Sequence, residues 1–259
     1  MRFGVCFRPN DIGQVAVAKA AGFDYMECNF VHVSRMDDET FASFAAALRE
    51  HGLPCGAACV LLPGEMSLHR GFDPEETAAF LREGLKRLVP LGLERVSFGS
   101  GGARGVPEGV TYPEAAKNLI RALRDVIGPV TAEFGVTVAI EPLRRNECNM
   151  INTLREGAML AAAVGLDNVK LLVDVYHMAP EETLDDIRKM KGVLAHAHIS
   201  QPFSTRGLKR DYPTDPDAYD YKGFLDAAAE AGVPTCSVEA DCVDFNVEYP
   251  AAARLLKSL

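Results

Sequence analysis

The sequence predicts an α/β protein folded as a closed (β/α)8 barrel of the TIM type, on three observations. Eight β-type runs alternate with helical stretches from end to end; the 259 residues suit eight βα units with little left over; and the last four runs each carry an ionisable residue to the same end on the same face. Strict alternation means parallel strands joined by right-handed crossovers. An open, doubly wound sheet is disfavoured because no GxGxxG follows the first strand. No Ser- or Pro-rich linker divides the chain, so residues 1–259 read as one domain.

In order, the strand candidates are RFGVCF (2–7), FDYMECNF (23–30), LPCGAACVLL (53–62), ERVSFGS (94–100), VTVAIEP (136–142), VKLLVDVY (169–176), VLAHAHIS (193–200) and TCSVEA (235–240). Between them lie marked helix starts. Asp37 and Asp38 precede Phe41, Phe44, Ala45 and Leu48 at helical spacing. Asp73-Pro74-Glu75-Glu76 supplies a cap, a first-turn proline and acids at the positive end of the helix. Thr111-x-x-Glu114 and Thr153-x-x-Glu156 have capping-box spacing.

In the last four strands the parity of the side chains is readable. Val136, Val138 and Ile140 face the helices, leaving Thr137, Ala139 and Glu141 toward the axis. Val169, Leu171 and Val173 point out while Lys170, Leu172 and Asp174 point in. Val193, Ala195 and Ala197 are outside with His196 and His198 inside; Cys236 and Val238 are outside with Ser237 and Glu239 inside. Glu141, Asp174, His198 and Glu239 thus converge at the C-terminal face, where barrel enzymes keep their active sites. Four such groups buried together need a counter-charge. Three carboxylates and one imidazole suit a divalent cation, Mn²⁺ first, with Mg²⁺ or Co²⁺ as alternatives, whereas a structural zinc prefers thiolates.

Composition narrows the function. With 27 basic against 36 acidic residues the formal charge is −9, the opposite of the dense basic patch that nucleic-acid binding requires. The seven cysteines, Cys6, Cys28, Cys55, Cys59, Cys148, Cys236 and Cys242, show no CxxC pairing and read as reduced thiols. No apolar run reaches the ~18 residues of a membrane span, and the start lacks signal-peptide features, so a cytoplasmic location is expected.

The segments VAIEPLRRNECNMINT, VKLLVDVYHM and LAHAHIS, then Arg210-x-x-Pro213 and SVEAD, closely resemble the xylose isomerase-like barrel superfamily, and within it the sugar-phosphate isomerase/epimerase group that contains the ketose 3-epimerases. The resemblance implies that Glu141, Asp174, His198 and Glu239 are metal ligands, that Glu141 and Glu239 exchange a proton with the substrate, and that His177 and Arg210 hold substrate oxygens. Glu147, in the ExxxxxE spacing after Glu141, would bind the carbonyl end of the sugar. It also implies a small sugar or keto-sugar substrate and an assembly of two or four copies. The expected chemistry is abstraction of a proton next to a carbonyl, through an enediolate stabilised by the metal, with Glu141 and Glu239 as base and acid on opposite faces.

Other readings stand beside this one. Elimination, by a keto-sugar or keto-inositol dehydratase or lyase, would use the same metal and base and needs only a leaving group. An endonuclease IV-like nuclease shares the Asp-x-x-His pattern of Asp174 and His177, but strand four ends in Phe98-Gly99-Ser100-Gly101 and no Asp-x-His follows His198. A passive sugar-binding barrel has no use for both acid/base carboxylates. Arg8, Arg104, Arg144, Arg145, Arg206, Lys209 and Arg210 all follow strands and are read either as a ring for an anionic substrate or as partners of nearby acids; the long stretch after His198 leaves Arg206 as an alternative to Arg210. GSGGARGVPEG after strand four is either a backbone cradle or a tight turn. His196 reads as a core histidine, and Glu27 as reaching either the pocket or an arginine.

Overall fold

The computed structural model describes residues 1–7 and 11–259. All eight strands form: β1 (Arg2–Cys6), β2 (Tyr25–Asn29), β3 (Cys55–Cys59), β4 (Arg95–Phe98), β5 (Thr137–Ile140), β6 (Val169–Asp174), β7 (Leu194–Ile199) and β8 (Thr235–Val238). They pair in parallel in sequence order, and β1 closes on β8 with Phe3 opposite Cys236 and Gly4 opposite Ser237. Each strand is shorter than its apolar run in the sequence because pairing stops where the chain turns outward, so Glu141 and Glu239 stand just past the ends of β5 and β8.

The parity read from the sequence holds. Val136, Val138, Ile140, Val169, Leu171, Val173, Ala197, Cys236 and Val238 all lie in the apolar layer between barrel and helices. Helix starts follow their caps. Asp37 accepts from the amide of Thr40, Asp73 from those of Glu75 and Glu76, and Thr153 with Glu156 closes a full capping box. At Thr111 only half of the expected box forms, the hydroxyl accepting from the Glu114 amide at 3.4 Å. Among the described residues no helix is long and apolar enough to cross a membrane.

Toward the start of the strands a tyrosine ring packs over Gly4. Tyr25 donates to or accepts from Ser237 Oγ at 2.8 Å over Gly4 of the intervening β1, and its ring occupies the space that a side chain at residue 4 would need. A Cβ built on Gly4 would stand 2.2 Å from that ring. Gly4→Ala is therefore expected to destabilise the protein by about 2 kcal/mol, lowering Tm by roughly 6 °C in a calorimetric scan. An unchanged Tm would show that Tyr25 has room to move.

Candidate metal centre and active site

The C-terminal ends of β5 to β8 bring together the four groups expected from the sequence. One donor atom from each of Glu141, Asp174, His198 and Glu239 lies within 4.8 Å of all the others. Asp174 and His198 are opposite each other in the β6–β7 register, which fixes their neighbourhood by backbone pairing. Glu141 is seated by two features of the segment after β4. Gly99 has no side chain where a Cβ would meet Glu141 Oε2 at 2.4 Å, and Arg104 donates to the Glu141 carbonyl at 2.7 Å and to the Phe98 carbonyl at 3.1 Å. The glycine-rich loop thus makes room for a carboxylate, and Arg104, read from the sequence either as part of a ring at the mouth or as a partner of nearby acids, is wholly buried beneath it and bonds backbone carbonyls.

His198 is held from behind. Its Nε2 meets Glu27 Oε1 at 2.9 Å, while its Nδ1 faces the cluster, 3.2 Å from Glu141 Oε1 and 2.8 Å from Glu239 Oε2. Glu27 is completely buried and takes its second contact, 2.8 Å, from His196 Nε2, whose Nδ1 meets the Thr235 hydroxyl and carbonyl. So among the described residues Glu27 pairs with no arginine; it orients the site histidine, and His196 is the core histidine expected. The sequence signal for this role was weak, because the two histidines that give Glu27 its meaning lie on a strand about 170 residues later in the chain, 169 and 171 residues away. Although burial disfavours both charges, the two histidines hold the Glu27 carboxyl well below its usual range, and Glu27 with Glu239 holds His198 well above its own.

Arg210 enters from the segment after β7 and spans two of the carboxylates. Its Nη1 donates to Asp174 Oδ2 at 2.6 Å and its Nη2 lies 2.8 Å from Glu239 Oε2. Burial raises the Asp174 carboxyl and opposes ionisation of Glu239, but Arg210 and His198 drive Glu239 far below its usual range. Arg206 instead pairs with Asp211 at 3.0 Å and Glu248 at 2.7 Å, away from the cluster. Of the two, it is Arg210 that reaches the carboxylate cluster.

His177 stands beside the cluster, its Nε2 3.6 Å from Asp174 Oδ2 and 3.9 Å from Glu141 Oε1. Its Nδ1 accepts from the Arg144 amide at 3.2 Å, which places the proton on Nε2, facing the site. Burial pushes its pKa down from 6.5 to about 4. A histidine depressed in the fold is protonated first in the unfolded chain, so stability falls as pH drops from 6.5 toward 4, by up to about 3 kcal/mol. His177→Asn should flatten the pH dependence of urea unfolding in that window, and an unaltered slope would contradict the assignment.

Glu147, after β5, lies at the rim, with its Oε2 on Lys209 Nζ at 2.7 Å and its Oε1 buried without a hydrogen-bond partner. The other cations of the expected ring are likewise engaged. Arg144 donates to the Tyr176 carbonyl with its guanidinium 3.4 Å from the centre of that ring, and Arg145 pairs with Glu181 at 3.1 Å. Arg8 lies outside the described residues.

The donor set fits a divalent cation. Three carboxylates and one imidazole nitrogen converge, the opposite nitrogen is fixed by an outer carboxylate, and Glu239 Oε2 is buried without a well-directed hydrogen bond despite its two close neighbours. Cys6, Glu27 and His198 also bring donors together, but Glu27 is already occupied by both imidazoles.

Comparison with known proteins bears on the family and the fold. Residues 15–259 match the family described as xylose isomerase-like TIM barrel. The chain is 26% identical over 194 residues to a D-psicose 3-epimerase of Agrobacterium fabrum, covering 70% of this chain and 64%, less than two thirds, of that protein. It is 26% identical over 213 residues to a 3-dehydro-D-guloside 4-epimerase of Escherichia coli, covering 75% of each chain. The crystal structure of a D-psicose 3-epimerase in the presence of D-fructose superposes with a TM-score of 0.81 over 100% of this chain and 98% of that one, at 17% identity, which shows a shared fold.

Proposed function

The chain belongs to the xylose isomerase-like TIM barrel family, and from that premise we propose that it is a divalent-metal-dependent epimerase of a small, uncharged ketose or keto-sugar. Relatives named as epimerases make an isomerase-class enzyme the supported activity. The observation that carries the reading is the convergence of Glu141, Asp174, His198 and Glu239 at the barrel mouth, with Glu141 and Glu239 reaching the same imidazole nitrogen from two different strands.

In this reading Glu141, Asp174, His198 through Nδ1, and Glu239 hold the cation, with Mn²⁺ the first choice. When bound, it would stabilise negative charge developing on the oxygens of a ketose as a neighbouring C–H bond breaks. The chain supplies the rest. One of Glu141 and Glu239 takes the proton from the carbon beside the carbonyl, and the other returns one to the opposite face of the planar enediolate; the roles exchange in the reverse direction. His177, neutral with its proton on Nε2, donates to a substrate oxygen, as does Arg210 while it also neutralises Asp174 and Glu239. Glu27 keeps His198 in one orientation. An uncharged substrate is favoured because Arg144, Arg145, Arg206 and Lys209 are each committed to groups of the protein itself.

The test is incubation of the purified protein with Mn²⁺ and a panel of ketoses, 3-keto sugars and their phosphates, with products resolved by chromatography. An epimer from an unphosphorylated ketose supports the reading; an unsaturated ketone would replace it by elimination, and turnover of the phosphates alone would overturn the uncharged substrate.

A further inference from the structure

We propose that Lys209 is a positioning residue of the sugar site, holding the Glu147 carboxylate as the outer wall against which the carbonyl end of the ketose binds. The inference rests on the reading of this mouth as a ketose site and concerns which residue outside the cluster sets the strength of substrate binding.

Lys209 and Arg210 are consecutive but serve opposite directions. Arg210 is buried on Asp174 and Glu239, whereas Lys209 is about half exposed and reaches outward over the mouth. Its Nζ donates to Glu147 Oε2 at 2.7 Å and stands 5.5 Å from the centre of the Tyr176 ring; its backbone amide donates to Asp241 Oδ2 at 2.9 Å. One residue therefore joins the segments that follow β5, β6 and β8 across the open end of the barrel.

Glu147 Oε1 is buried, with the Tyr176 side chain adding to the hold on the carboxylate, so the acceptor left for a sugar hydroxyl is Oε2, the oxygen whose direction the Lys209 ammonium fixes. Burial would raise the Glu147 carboxyl; Lys209 instead keeps it ionised, below its usual range. Because Glu147 stands outside the four-donor cluster, its contact should be made equally by bound substrate and transition state, which alters KM and leaves kcat.

The experiment compares wild type, Lys209→Met, Lys209→Arg, Glu147→Gln and the double variant Lys209→Met/Glu147→Gln, all loaded with Mn²⁺. Calorimetric Kd for D-fructose is measured alongside kcat and KM for the ketose turned over. Loss of a hydrogen bond to a charged group predicts Kd and KM about tenfold higher for Lys209→Met, with kcat within about threefold. Lys209→Arg, which reaches the same oxygen, should recover most of the loss. In the Glu147→Gln background the lysine substitution should add less than about twofold, since its effect passes through that carboxylate. The acid limb of kcat/KM should move to higher pH in Lys209→Met. Wild-type Kd and KM in Lys209→Met, or an effect of equal size with and without Glu147, would overturn the proposal while leaving the epimerase reading intact. A wild-type protein that binds and turns over no ketose would overturn both.

Discussion

Glu239→Gln is expected to lower kcat/KM for epimerisation by about 10³ or more, and Glu141→Gln to do the same. A positioned acid or base contributes about 10²–10⁴ in rate, and an amide at either position also weakens the charge balance of the donor cluster. The substitution is nearly isosteric, so the fold should survive and metal content can be measured on the same samples. Two carboxylates on opposite faces give a sharper signature than a general loss of activity. With one of them gone, the other still exchanges the proton of one epimer with solvent but cannot deliver it to the far side. Each variant should therefore retain isotope exchange from a single, different epimer while interconversion is lost. Equal retention of interconversion in either variant would remove that residue from the proton path.

Glu27→Gln is the second large effect, and it acts without touching the substrate. The outer carboxylate that holds a ligating histidine is worth about 10–100-fold in metal affinity. Here it holds His198 and His196 at once, through contacts of 2.9 and 2.8 Å in a fully buried setting. Titration with Mn²⁺ should show a Kd raised by that factor, and the gain in Tm on adding Mn²⁺ should shrink accordingly, about 1.4 kcal/mol for each tenfold. The apo protein should also be less stable, because breaking a buried charged pair leaves its partner uncompensated, at about 3–5 kcal/mol. The pH dependence has a definite sign. His198 is held well above its usual pKa, and a cation must displace the Nδ1 proton, so affinity should rise as pH rises. An affinity independent of both Glu27 and pH would mean that the cation binds elsewhere.

Much of this was legible in the chain because barrel strands carry their own ruler. Alternation in Val136–Glu141, Val169–Asp174 and Val193–His198 assigns each side chain to a face, and the strand end assigns its height. Those two coordinates were enough to gather Glu141, Asp174, His198 and Glu239, which the fold places within 4.8 Å. What alternation cannot supply is the partner across the barrel. Glu27 stood alone on its strand in the sequence, and its pairing with two histidines on β7 follows only from closure of β1 on β8. Loop residues have no ruler at all. Arg104 looked like a charge at the mouth yet is wholly buried, since its guanidinium is the group that satisfies the carbonyls of Phe98 and Glu141 where the chain leaves the sheet. Arg210 was singled out by resemblance alone, with Arg206 four residues away as the alternative, and only the fold shows that Asp211 and Glu248 engage Arg206 while Asp174 and Glu239 engage Arg210. Lys209 drew no notice as a structural residue because Glu147, its partner, comes from a loop 62 positions away.

Proton exchange at a carbon beside a carbonyl between Glu141 and Glu239 is tested most directly by incubating the Mn²⁺-loaded protein with each of a panel of ketoses and 3-keto sugars in D₂O and following the sugars by NMR. The account predicts deuterium at the carbon next to the carbonyl in both epimers, lost when the metal is chelated and restored when it is returned. Turnover without deuterium incorporation, or incorporation that survives both chelation and the double variant Glu141→Gln/Glu239→Gln, would contradict it.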